Sequence, residues 1–355
     1  MDGRDGRPAA LESTITSGGF GVFTLAASGV TFDGFTFSNL KGRTIDAGVN
    51  ADNFTMRNCI VQCSSIDPGY NTGAIQFDGG LSLHANGLMF ERNLVTADNG
   101  QLLYMGHAMD SGTIRSNIFH GDTVSFGPFG ARTGWVIEGN EFNGNVPGHG
   151  AYWGFGFNAN LGNVIIRNNT VSKMNLGIGQ ISVVGGSITG NMFDDNKSAA
   201  FQLWGGEYGT VVSANVLIET NTINYNGTTC TGFGDASHGI RLRPLGDDPT
   251  GIVGATIHLH NNNFANLGVG MCGQVWAIRN NANPATMVDA AGDWWGTTDP
   301  VQIAAMLNGP VNFTPWLGGP RNGSPNTLYE NTANTLQAAI DVAYPGDTII
   351  LAPGT

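Results

Sequence analysis

Charged residues are scarce in this sequence: 12% of its 355 positions, against 41% hydrophobic. Lysine is nearly missing, with Lys41, Lys173 and Lys197 alone among 15 cations, and 27 acids leave a formal net charge of −12. A chain so poor in cations carries no electrostatic footprint for nucleic acid and is repelled by an anionic membrane. Long apolar runs are absent as well, and no stretch reaches the roughly 18 residues that a membrane-crossing helix needs. Cysteine is limited to Cys59, Cys63, Cys230 and Cys272, without a CxxC pair, which excludes a thiolate zinc pattern. The opening Met-Asp-Gly-Arg-Asp-Gly-Arg lacks the apolar core of a signal peptide, so export would rely on a signal outside these residues.

Glycine is what the chain has in excess: 54 residues, about 15% of the total and roughly twice the usual share. No Gly-X-Y period accompanies it, which excludes collagen. The hydrophobic content is too high and the charge too low for a disordered polymer. With helix formers scarce and Gly, Asn, Thr, Val, Ile and Phe abundant, the composition favours short strands joined by tight turns.

A short segment then recurs, in the pattern apolar-x-apolar-x-x-Asn-x-apolar. It reads VTFDGFTF from Val30, FTMRNCIV from Phe54, LMFERNLV from Leu88, GTIRSNIF from Gly112 and WVIEGNEF from Trp135. It continues as VIIRNNTV from Val164, GSITGNMF from Gly186, VLIETNTI from Val216, IHLHNNNF from Ile257 and a fading WAIRNNAN from Trp276. The sixth position holds Phe35 and Cys59, then Asn93, Asn117, Asn140, Asn169, Asn191, Asn221, Asn262 and Asn281. The intervals between these positions have a floor of about 19 to 24 residues, with excursions up to 41.

A unit of that length is too short for two helices and suits three short strands and three turns, one rung of a solenoid. Period-2 alternation turns the first and third positions inward, and the Asn follows the bend, where its amide can satisfy turn backbone. Rungs stack about 4.8 Å apart, so the eight Asn from Asn93 to Asn281 can form a hydrogen-bonded ladder. Cys59, at the same position, reads as a small buried residue. A second strand repeats in step: IQFDG from Ile75, LYMG from Leu103, VSFG from Val124, FGFN from Phe155, FQLWG from Phe201, IRLRP from Ile240 and VGMCG from Val269.

These residues resemble a right-handed parallel β-helix of the pectate-lyase-like superfamily, over residues 1–318 and about ten or more rungs. The segment 292–317, with GDWWGTTDP and VNFTPWL, resembles the closing segment of secreted bacterial β-helix domains, with Trp294 and Trp295 as capping residues. Residues 319–331 read as a Gly/Pro/Asn-rich linker. The stretch 332–355 resembles the opening of such a domain, a short amphipathic helix (Leu336, Ala339, Ile340, Ala343) and then a first strand. Closing before opening is the order of a window cut from tandem β-helix domains or of a unit in a head-to-tail polymer, and a partial gene model yields the same order.

Outward positions of the second strand form a row (Gln76, Asp78, Tyr104, Ser125, Asn158, Gln202, Trp204, Arg241, Arg243) that suits an extended glycan or an ordinary solvated face. The loop Gly148–Asn158 adds His149, Tyr152 and Trp153, with aromatics for stacking on sugar rings and an imidazole for acid–base work. The carbohydrate-binding candidates are therefore Tyr104, Tyr152, Trp153, Gln202, Trp204 and Arg241. The catalytic candidates are His149, Asp194, Asp195, Arg241 and Arg243. Glycoside hydrolysis needs two carboxylates about 5–10 Å apart, and Asp194 or Asp195 with Glu207 is the pairing on offer. The resemblance to β-helix lyases implies an Arg base and carboxylate-bound calcium, for which Asp235, Asp247 and Asp248 offer oxygen ligands; no other cofactor is expected. Cys230 and Cys272 suit a disulfide that pins the longest excursion.

The expected function is an extracellular or cell-surface structural and adhesion module. Its expected partners are polysaccharide along a lateral face and copies of itself or tandem neighbours head to tail, with no nucleic acid and no membrane insertion. The competing expectation is a β-helix polysaccharide lyase or glycoside hydrolase.

Overall fold

A computed structural model describes residues 13–17, 23–25, 27–39, 44–47, 51–63, 73–77, 85–97, 101–105, 110–121, 124–126, 131–144, 153–155, 159–196, 198–205, 213–224, 238–244, 256–266, 276–281, 287–330 and 336–351. The chain divides into two compact units, Met1–Ile181 and Ser182–Thr355. Each is built of parallel strands stacked rung on rung, a parallel β-helix.

From Phe23 to Ser172 each rung of the first unit places strands on three walls. One wall runs Phe23–Leu25, Ile45–Ala47, Gly73–Phe77, Gln101–Met105, Val124–Phe126 and Trp153–Phe155, each parallel to the next. A second wall runs Thr31–Asp33, Thr55–Arg57, Leu88–Glu91, Gly112–Arg115, Val136–Glu138 and Ala159–Arg167. A third runs Ser13–Ser17, Phe35–Asn39, Ile60–Cys63, Leu94–Ala97, Ile118–His120, Glu141–Asn143 and Thr170–Ser172. The recurring motif is the second wall, a bend and the third wall.

Like side chains stack on like. Ile114, Ile137 and Ile166 are in register and fully buried, and the rings of Phe90, Phe119 and Phe142 stack with centroids 6.0 and 5.1 Å apart. Each such side chain contributes about 1.5–3 kcal/mol by leaving water. Ile75, Phe77, Leu103, Met105 and Val124 line the first wall from inside, as the alternation requires.

The bend between the second and third walls repeats a backbone device. Asn58, Arg92, Ser116, Gly139 and Asn168 all lie in the left-handed region, with φ between 52° and 62°. Each immediately precedes the sixth motif position and swings that residue into the interior. There the asparagines form the ladder. The Oδ1 of Asn117 accepts from both the backbone N–H and the Nδ2 of Asn93, at 2.9 and 3.0 Å. Asn117 does the same onto Asn140, and Asn140 onto Asn169. Every Nδ2 also donates to a strand carbonyl: Asn93 to Met56, Asn117 to Phe90, Asn140 to Ile114, Asn169 to Ile137. Cys59 begins the row, fully buried, its backbone N–H donating to Asn93 Oδ1 at 3.0 Å. Burial pushes its thiol up to about 11. Cys63 is buried too, its sulfur 3.1 Å from Thr44 Oγ1.

The outer face of the second wall carries a column of alternating charge. Asp33, Arg57, Glu91, Arg115, Glu138 and Arg167 follow one another in register. Ion pairs join Arg57 to Asp33 (3.0 Å), Arg115 to Glu91 (2.5 Å) and Arg167 to Glu138 (2.6 Å). Burial works against the Glu91 carboxylate, yet the hydrogen bond from Arg115 and the charges of Arg92 and Arg115 outweigh it and hold the group below its ordinary range.

The second unit repeats the plan. Its ladder runs from Asn191 to Asn221 to Asn262. The next acceptor is Asp293 Oδ1, 2.6 Å from the Asn262 backbone nitrogen and 3.0 Å from its Nδ2. Asn281, expected in the ladder, is exposed and stands outside it. The cause is register: Trp276–Asn280 pairs with His238–Pro244, Ile278 against Ile240, so WAIRNNAN belongs to the first wall. The last copy of the motif is instead Val288–Trp295, VDAAGDWW, with Asp at the sixth position after Gly292 (φ 74°). Trp295 lies flat on Phe264, centroids 4.8 Å apart, and closes that rung. The first-wall neighbour of Ile240 is Ile278, in Trp276–Asn280, and the stretch from Val269 lies outside the described residues.

Helix α1 (Pro300–Ala305) starts on an Asp299 cap whose side chain accepts from Val301 N–H. The stretch 319–331, expected to be a linker, holds the strand Thr327–Glu330, antiparallel to Trp316–Leu317 and parallel to Thr348–Leu351. Its polarity misleads because both of its charges, Arg321 and Glu330, are buried. Arg321 donates twice to Asp347 (3.0 and 2.8 Å) and twice to Asn261 Oδ1 (3.1 and 2.8 Å), and lies 4.2 Å from the Tyr344 ring. Helix α2 (Leu336–Val342) sends Val342 into a cluster with Ala291, Leu317 and Leu328. The helix-and-strand segment therefore packs on the closing rung itself.

Candidate functional site

On the second wall of the second unit, the strand Ile257–His260 reads Ile-His-Leu-His. Ile257 and Leu259 are fully buried, so alternation turns both imidazoles to the outer face. The next rung supplies Val288–Asp289, with Val288 buried and Asp289 in register with His258. Asp289 Oδ2 then lies 3.0 Å from His260 Nε2 and 3.5 Å from His258 Nδ1, and the two imidazole centroids are 5.6 Å apart. The other carboxylate oxygen accepts from the Ala291 backbone N–H at 3.3 Å. Burial opposes ionisation of Asp289, but the hydrogen bond and charge of His260 prevail and keep its carboxyl below the ordinary range.

The preceding rung places Glu219 in register with His260. Its Oε1 is engaged elsewhere, accepting from Asn261 Nδ2 at 3.3 Å and the Tyr344 hydroxyl at 3.4 Å. One potential ligand atom from each of His258, His260 and Asp289 falls within 4.8 Å of the others, the only such His/Cys/Asp/Glu group among the described residues. The recurring motif does not reveal this trio, because WAIRNNAN imitates the pattern one strand early on the same rung. With VDAAGDWW aligned beneath IHLHNNNF, Asp289 falls directly under His258.

The expected glycan row on the first wall has a different character. Gln76, Tyr104, Gln202, Trp204 and Arg241 are all buried, between 2% and 6% exposed, and form no solvated face. Gln76 and Tyr104 are in register within the first unit. Gln202, Arg241 and Arg279 are in register, Trp204 Nε1 donates to Gln202 Oε1 at 3.1 Å, and the Arg243 guanidinium lies 4.9 Å from the Trp204 ring.

Asp194 accepts from Asn224 Nδ2 at 2.5 Å across the rungs, and Asp195 occupies a left-handed turn position with φ 51°. Asp194 ends the strand Met192–Asp194, and Asp195 is the turn residue that follows it. Trp153 opens the strand Trp153–Phe155, and His238 the strand His238–Pro244. His149, Tyr152, Glu207, Cys230, Asp235, Asp247, Asp248 and Cys272 lie outside the described residues. No protein-family model matches the chain, and no curated protein or solved structure matches it either.

Proposed function

We propose that this chain is a structural module of an extracellular or cell-surface protein, a β-helix of the pectate-lyase-like kind that stacks end to end on another β-helix. The observation that carries the reading is the apolar end surface. Among the described residues Thr348–Leu351 is one edge of its three-stranded sheet, and Ile350 and Leu351 are each 45% exposed. On α2, Leu336 and Ile340 are exposed as well. An edge strand that presents both unpaired backbone groups and large apolar side chains is a template for a further parallel strand. Behind this surface the buried Arg321–Asp347 pair fastens the segment to the closing rung.

Sedimentation of the full chain over a range of concentrations tests the reading. Association that grows with concentration is expected, and a variant carrying Ile340→Asp and Ile350→Asp should stay monomeric with an unchanged circular dichroism spectrum. Strictly monomeric wild type at high concentration removes self-stacking. Release of unsaturated or reducing ends from pectin, alginate or a neutral glycan overturns the reading in favour of an enzyme.

A further inference from the structure

We propose that His258, His260 and Asp289 bind one late first-row divalent metal ion, with zinc as the reference, on the outer face where the strand Ile257–His260 meets Val288–Asp289. The donor set sets the class. Two neutral imidazoles and a carboxylate suit zinc, cobalt, nickel or copper, whereas calcium and magnesium take oxygen shells. The distances fit the same class. Ligand atoms about 2.0–2.2 Å from a tetrahedral ion stand roughly 3.3–3.6 Å apart. The carboxylate oxygen is 3.0 and 3.5 Å from the two imidazole nitrogens, so small side-chain rotations open room for the ion.

The backbone has already positioned the ligands. Both histidines project from one strand at i and i+2, and Asp289 projects from its hydrogen-bonded neighbour, so folding of the solenoid assembles the trio. The Ala291 N–H holds one oxygen of Asp289 and leaves the other directed at the histidines, as an outer-sphere partner does at a metal carboxylate. Side-chain exposures of 46% for His258, 22% for His260 and 37% for Asp289 give an ion access from solvent. Three protein ligands leave a fourth position for water or for a donor from a partner. A bound ion would also join two rungs by coordination, so it stabilises the native chain as any ligand specific to the folded state does. The proposal is independent of end-to-end stacking.

The experiment uses the full chain, stripped with a chelator and dialysed, and cobalt(II) as the visible probe. One equivalent of cobalt should bind with the intense absorption of a four- or five-coordinate site, and zinc should displace it. Zinc should raise the melting temperature of the wild type. His258→Ala, His260→Ala and Asp289→Asn should each weaken binding by roughly tenfold or more, the loss that even an outer-sphere partner can cause. His120→Ala is the control, since His120 pairs with Glu141 at 3.5 Å but belongs to no three-ligand group among the described residues; it should bind as wild type does. Melting temperatures in chelator check that each variant is folded. Cobalt and zinc binding by the wild type no tighter than by the His258→Ala, His260→Ala double variant would overturn the proposal, as would binding that all three single variants leave unchanged.

Discussion

Asn140 illustrates how much one buried amide does in this fold. Its oxygen takes two hydrogen bonds from Asn117, and its nitrogen gives one to Asn169 and one to the Ile114 carbonyl. Asn140→Ala strands the Asn117 backbone N–H and the Ile114 carbonyl in a dry interior, at about 1–3 kcal/mol for each orphaned group. A total loss of about 3–5 kcal/mol is expected, read from urea unfolding midpoints. Asp293 ends the other ladder in a strained way. It is fully buried, and its Oδ2 has no hydrogen-bond partner among the described residues. Burial drives its carboxyl well above the ordinary value of 3.8, although the bonds from Asn262 pull the other way. The folded chain therefore holds this proton more tightly than the unfolded one. Its contribution to stability is full below pH 3.8 and is lost as pH rises through the elevated folded value. Asp293→Asn should stabilise the protein at neutral pH, because the new amide can donate to the Leu259 carbonyl, the register equivalent of Ile218. The gain over wild type should shrink as pH falls toward 3.8, as paired unfolding curves across pH would record.

The strands carry a second, weaker code in their outward charges. From Asp33 to Arg167 the sign alternates at each rung, so a slip by one rung would set like against like. Arg115→Glu brings three acids together in one column, with Glu91 only 6% exposed at its side chain. It should cost about 0.5–1 kcal/mol more than Arg115→Gln, and added salt should narrow the difference. Strand assignment was legible wherever the full pattern stood in the sequence. The eight-residue motif marks the rungs from Val30 to Ile257 because apolar positions recur in each of them and a turn amide in all but the first two. It failed at the end, where the ladder group is a carboxylate and the third position is the small Ala290. WAIRNNAN mimics the motif in letters but hydrogen-bonds as the other wall. That one displacement hid the His258–His260–Asp289 trio.

For the molecule as a whole, the glycine excess announced only short strands joined by turns, and the parallel β-helix was readable from the recurring motif. Less readable was which polar side chains face inward. Tyr104, Gln202 and Arg241 follow the outward parity of their strand and are nonetheless buried, because parity decides which side of a wall a residue takes and not whether that side is covered. The C-terminal stretch posed the same difficulty in reverse. Arg321 and Asp347 look like surface charges in a polar segment, yet they form a pair with side chains 3% and 0% exposed that fastens the last strands to Asn261. The asparagine row of the second unit, finally, has a direction. Asn191, Asn221 and Asn262 each direct their nitrogen to the following rung, and Asn221 and Asn262 receive that bond on their oxygen from the preceding one. Such a row grows like a polymer with distinct heads and tails: a new member must present an oxygen to join, and must carry a donor for the next to follow. Asp293 meets the first condition and, once ionised, fails the second. It is a chain terminator, and a single nitrogen-for-oxygen exchange sets where the row stops growing.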